Sequence, residues 1–396
     1  MKISLIPALL IAAACPAQDA AMLAAREANQ HAFELFQLFR QMTKGNFCFS
    51  PYSGHRVAAM LAAGAKGATQ HELVAMAHLT TDAAERTARA SALRQELAQG
   101  AGRGLVLEVA NSIWAPDTVV FVPAFVRSAK EQFGAASEVF PSHDPVSSAA
   151  LVNQWMREKT RGRIGSLVGP TSFTDNGSTV LLVNAVYLKG IWESPFEIAQ
   201  TKPRTFTKAA GHASMLSTMH QRGIFAYGDS ETWQCLEMRF AGNEFAMQFL
   251  LPRAETGRAA IESALNPDTW HKVELASINC EVNIMLPRFG FSTQLDMKGL
   301  WQALGAKTVF DRETADLTAM SPQRPASVRQ VLHEATIEVN EVGAVAAAAT
   351  VAAADPFGAA PQGPRKVNFI ANHPFLWVIQ HRRTGLILFM GRFAGE

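Results

Sequence analysis

The chain has 396 residues, of which 48% are hydrophobic and 24 are Phe, so it carries ample apolar surface for a large packed core and is not globally disordered. Its 36 basic residues nearly balance 34 acidic ones, and a formal charge of +2 lacks the long-range field expected of a nucleic-acid binder. Length alone leaves one or two domains open.

At the N-terminus, Lys2 precedes an apolar run from Leu5 to Ala14 that closes on small residues, the pattern of a secretory signal peptide over residues 1–17. The run is too short to span a bilayer. Cys15, after Ala12, Ala13 and Ala14, also resembles a bacterial lipoprotein site, in which cleavage falls before Cys15 and its thiol is acylated. The expected location is therefore secreted or periplasmic, in a bacterial envelope, with a membrane tether only if Cys15 is lipidated. Cys48, Cys235 and Cys280 are odd in number and lie in apolar runs, which predicts buried free thiols and no disulfide framework.

Apolar residues at helical spacing predict helices over 22–42, 53–65, 69–78, 83–99, 123–133 and 147–160. Strands are predicted over 105–114, 179–192, 233–240, 244–251, 280–291, 331–342, 375–380 and 386–393. The run from Thr179 to Leu188 is nearly all apolar, as suits a central strand covered on both faces. Residues 343–366 break the pattern: they are rich in Ala, Gly and Pro and hold no large apolar residue before Phe357. Pro356, Pro361 and Pro364 favour an exposed loop for the second half of this segment. No linker or internal repeat divides the chain, which predicts one domain over 25–396.

An ordered series of motifs then resembles the serpin family. Asn46-Phe-Cys-Phe-Ser50-Pro51-Tyr-Ser53 leads into Ala63-Gly64-Ala65-Lys66-Gly67, and Asn111-Ser-Ile-Trp114 and Val152-Asn153-Gln-Trp155 follow. Leu182-Val-Asn184-Ala-Val-Tyr-Leu-Lys-Gly190-Ile-Trp192, Leu286-Pro287-Arg288-Phe289 and His373-Pro374-Phe375 complete the series. The resemblance implies a single-domain α+β fold of three β-sheets with eight or nine helices and an exposed reactive-centre loop. It also implies a suicide-type inhibitor, monomeric and not itself an enzyme. Its partner would be a serine protease, held covalently as an acyl-enzyme while the cut loop inserts into the large sheet. No cofactor, metal or nucleic acid is expected.

Carried over residue by residue, the resemblance makes Glu341, Gly343, Ala344, Ala346, Ala348 and Thr350 a hinge. Small inward-facing residues suit a strand that must pass between two others. Glu341, Arg288 and Trp192 match the family's breach, where the sheet opens. Ser50, Ser53, Asn184 and His333 match its shutter, a buried polar cluster midway down. The family's spacing from the hinge glutamate implies, counted from Glu341, a bait bond at Phe357-Gly358, suited to a chymotrypsin-like or elastase-like pocket; a shifted alignment would place it at Arg365 or Lys366 and suit a trypsin-like one. A non-inhibitory serpin acting as a carrier or binding module is the alternative. An enzyme is the more distant rival, since His71-Glu72-Leu73-Val74-Ala75 lacks the second His of a zinc protease helix and no Gly-x-Ser-x-Gly elbow occurs.

Overall fold

The computed structural model describes residues 16–100, 104–162, 165–174, 179–209, 211–322, 327–344 and 363–396. Its N-terminal half is helical around short strands: α1 (Pro16–Met42), β1 (Phe47–Phe49), α2 (Pro51–Gly64), α3 (Gly67–Met76), α4 (Ala83–Gly100), β2 (Leu105–Pro116), α5 (Pro123–Phe133), β3 (Ala135–Phe140) and α6 (Pro145–Lys159). Strand β4 (Thr179–Ile191) then opens a strand-rich half with β5 (Lys202–Thr207), β6 (Ala213–Asp229), β7 (Trp233–Arg239) and β8 (Phe245–Pro252). After α7 (Arg258–Ala264) and α8 (Pro267–Leu275) come β9 (Ile278–Pro287), β10 (Phe289–Asp296), α9 (Lys298–Ala303), β11 (Ser327–Val339) and β12 (Gly343–Ala344). Three strands close the chain: β13 (Lys366–Ile370), β14 (Phe375–His381) and β15 (Leu386–Phe393). Nine α-helices thus stand among the described residues, on mixed sheets.

Three sheets are expected, and the hydrogen bonds run as two continuous ladders. One follows the order β10-β11-β4-β2-β3, with β12 added on β4. The other runs β1-β15-β14-β8-β7-β6-β9-β13, with β5 on β6. The 17-residue β6 is the reason: it pairs with β5 and β9 along most of its length and with β7 over Ala226–Asp229, so it joins two sheets into one ladder.

β4 is buried along nearly its whole length because both its faces are covered, as its apolar run predicts. Val180, Leu182, Val186 and Leu188 point into the main core, shared with α2 and the second ladder. Leu181, Val183 and Ala185 point the other way, against Trp114 and the Val152 and Met156 side chains of α6. The run predicted over 280–291 is two strands, broken at Arg288, and the first helix, predicted from residue 22, already covers the described residues from Pro16, with Ala21, Ala24, Ala25 and Ala28 buried in the core that also takes Leu93 and Leu97 of α4. No apolar run marks β6 in the sequence, because its buried positions are few and its exposed ones mix apolar Met215 and Ile224 with Ser217 and Arg222. The three cysteines are free and buried, and desolvation pushes the Cys48 thiol up to about 12.

Candidate functional site

The first ladder contains one parallel seam. β11 pairs with β4 in parallel from Ser327↔Thr179 to Thr336↔Tyr187, while β10 flanks β11 and β2 flanks β4 in antiparallel fashion. Above Thr336 the two strands part. The chain leaving β11 turns at residues 340–342 and comes back between them, so Gly343 pairs with Ile191 and Ala344 with Gly190, antiparallel to β4. Asn340 builds this turn: its N–H donates to the Gly343 carbonyl (2.9 Å), and its side-chain oxygen accepts from the N–H groups of Val342 (3.1 Å) and Gly343 (3.3 Å). The approach is close enough that a Cβ on Gly343 would overlap the Gly190 carbonyl, and one on Gly190 would strike the Phe240 ring.

The groups around this opening are those the breach motif names. Trp192, buried and stacked on Phe240 at 4.8 Å, donates its indole N–H to the Asn340 carbonyl (3.0 Å) and its backbone N–H to the Val342 carbonyl (2.9 Å). The Glu341 carboxylate is buried; one oxygen accepts from Thr201 (2.6 Å) and the other lies 3.4 Å from Arg288 Nε. Arg288 itself is 50% exposed, so the pair is worth no more than about 1 kcal/mol.

Lower down, three adjacent strands set a polar residue at one level. Asn184 on β4 stands opposite Asn111 on β2 and opposite His333 on β11. The hydrogen bonds assign themselves. The backbone N–H of Ser50 donates to His333 Nε2 (3.1 Å), so that nitrogen is the acceptor and Nδ1 carries the proton that goes to Asn184 Oδ1. Asn184 donates in turn to Ser53 Oγ and Asn111 Oδ1. Ser50, the N-cap of α2 before Pro51, accepts from the Ser53 N–H (3.4 Å) and donates to the Leu388 carbonyl of β15 (2.7 Å). Burial lowers the His333 pKa to about 4, so the ring is neutral at pH 7.

The structure therefore brings Glu341, Arg288 and Trp192 to one end of the seam and Ser50, Ser53, Asn184 and His333 to its middle. Ala346, Ala348, Thr350, Phe357 and Gly358 lie outside the described residues, as does Cys15. Arg365 and Lys366 do not suit a bait position. Arg365 grips Asp229 through two nitrogens at 2.8 Å each, and Lys366 is already the first residue of β13, paired with Glu281. Asn111, Asn340, Thr201 and Phe240 join the site only in the structure. Asn111 carries a signal that could mark it, since an Asn within the Asn111-Ser-Ile-Trp114 strand beside the Asn184 strand is a polar residue in an apolar layer; Asn340 carries the ordinary turn signal of Asn shortly before Gly.

The site is therefore a mixed sheet with a parted parallel seam, its outgoing chain folded back into the gap. The chain belongs to the serpin (serine protease inhibitor) family, whose model matches residues 26–395. It is 33% identical over 377 residues to human leukocyte elastase inhibitor, covering 92% of this chain and 97% of that protein. Among solved structures it resembles Serpin48 of the insect Tenebrio molitor, with 26% identity, a TM-score of 0.83, and 94% and 98% of the two chains covered. Human thyroxine-binding globulin shares the fold with a TM-score of 0.83 at 20% identity, covering 94% of this chain and 98% of its own.

Proposed function

We propose that the chain traps chymotrypsin-like or elastase-like serine proteases as acyl-enzymes. The target's serine attacks the Phe357 carbonyl, the bond to Gly358 breaks with Gly358 leaving as a new amino terminus, and the ester keeps the protease on the cut loop. The loop then enters the seam between β11 and β4, carrying the protease with it before water completes hydrolysis.

The observation that carries this reading is the antiparallel start of β12 on β4. Continued in the same register, it sets Ala346 against Leu188, Ala348 against Val186, Thr350 against Asn184 and Asp355 against Thr179, the first residue of β4. The even-numbered hinge residues then share the face of Val186 and Leu188, toward the main core, and all of them through Ala354 are Ala or Thr. Pro356, which has no N–H to give a ladder, falls just past the end of β4, and Phe357 follows it. A strand in that slot would replace one parallel ladder with two antiparallel ones, the more stable pairing per residue. The likeness to leukocyte elastase inhibitor, whose name states an elastase target, agrees with this class of protease.

A non-inhibitory carrier needs no insertable loop, and the uncharged, proline-free stretch from Gly343 to Ala354 argues against it. Export rests on the leader-like residues 1–17, with lipidation of Cys15 as the tethered variant; the animal relatives named above lend no support to a bacterial source. Mixing the protein with chymotrypsin tests the reading. The expected result is a denaturant-resistant complex on a gel and a released fragment beginning at Gly358 by mass spectrometry. Cleavage there without a complex would leave the carrier or substrate reading.

A further inference from the structure

A cavity of about 220 Å³ lies between α2 and α4, away from the seam. It exists because the helix faces that meet there carry small residues, Ala59 and Ala63 on α2 and Ala83, Thr87 and Ala90 on α4, where large apolar side chains would fill the space. Its wall combines rings with charge. Tyr52 and Phe133 supply the aromatic surface, and three guanidinium groups, those of Arg56, Arg86 and Arg89, face one carboxylate, Glu27.

Two of these cations are already committed. Arg86 donates to the Thr80 and Thr81 carbonyls at 2.8 Å each, and Arg89 is shared between Glu27 and Glu85. Arg56 forms no ion pair with any described residue. Its guanidinium carbon lies 5.6 Å from the centre of the Tyr52 ring, and the residue is half-buried. A cation partly withdrawn from water without a counter-charge, beside unfilled space with aromatic walls, is the complement of an anion with an apolar ring.

We propose that this cavity binds a small aromatic carboxylate, its carboxylate on Arg56 and its ring between Tyr52, Phe133 and the alanine faces of α2 and α4. The size agrees: an apolar cavity of about 150 Å³ admits benzene, so this one takes a ring with a short acid chain. The guanidinium meets the carboxylate with two parallel hydrogen bonds, which makes charge and not only shape the basis of selection.

Titration calorimetry with 3-phenylpropionate and its neutral amide tests this. The carboxylate binds the unaltered protein at least tenfold more tightly than the amide, and Arg56→Met abolishes that preference while leaving the weak amide binding in place. Ala90→Leu, which fills the cavity, keeps or raises the melting temperature and loses both ligands, so the position of the site is tested apart from Arg56. No binding at millimolar carboxylate, equal binding of acid and amide, or undiminished binding by the filled variant overturns the proposal.

Discussion

The top of the β11–β4 seam and its middle are held by different physics. At the top, a turn built by Asn340, the Trp192 indole and a half-exposed Arg288–Glu341 pair hold the strands where they have already parted. In the middle, His333, Asn184, Asn111, Ser50 and Ser53 are all buried and exchange neutral hydrogen bonds in which each polar group has a partner. Exposed ion pairs yield for about 1 kcal/mol or less, whereas orphaning one member of a buried network costs about 1–3 kcal/mol. Under the proposed mechanism, insertion would start easily and meet its main resistance at the level of Asn184, which the proposed register sets against Thr350.

The largest effect expected is from Ala346→Arg, which sends a charge to the main-core side of the seam below the opening. A buried unpaired charge costs several kcal/mol, so inhibition is lost and the protein is cleaved as a substrate, read as the disappearance of the gel-stable complex. Retained inhibition would break the register. His333→Ala strikes the middle: it leaves Asn184 Oδ1 and the Ser50 N–H without their His333 partner and should cost about 1–3 kcal/mol, seen as a lower urea midpoint.

Acid should act on His333 in the seam and, away from it, on His31 and His55 beside the end of α3. Burial holds His333 and His55 at about 4 and His31 at about 3, below their ordinary 6.5. The unfolded chain takes up these protons first, so their contribution is complete above pH 6.5 and falls as pH drops toward 4, by about 1.4 kcal/mol per unit of pKa difference for each group. Glu334, raised to about 6 by burial, has the opposite sign, since its contribution is lost as pH rises through 6, and it offsets part of the fall. Urea midpoints measured from pH 7 to pH 4 should decline, and less steeply in His333→Gln. The smallest effect belongs to Arg288→Ala at the top, under about 1 kcal/mol in the same urea measurement, because Thr201 still donates to Glu341.

Much of the seam is legible in the sequence because the relevant residues stand out from their surroundings. The apolar run of β4 announces a strand covered on both faces, and Asn184 within it and His333 within β11 are polar residues that such a layer tolerates only when paired. The alanine stretch read as a hinge lies outside the described residues beyond Ala344. What stays hidden depends on register. That Asn111 faces Asn184 follows from an antiparallel pairing between segments more than seventy positions apart, which no local pattern encodes. β6, which merges two sheets into one ladder, has no apolar run to mark it, and the commitment of Arg365 to Asp229 is a contact between residues 136 positions apart.

The most direct test of loop insertion is a crystal structure of the protein cleaved after Phe357. It should show residues 343–355 as a strand between β11 and β4, antiparallel to both, with Thr350 beside Asn184 and the His333–Asn184 hydrogen bond broken. If Thr336 and Tyr187 are still paired across an unopened seam, or if a different residue lies beside Asn184, insertion in this register is wrong.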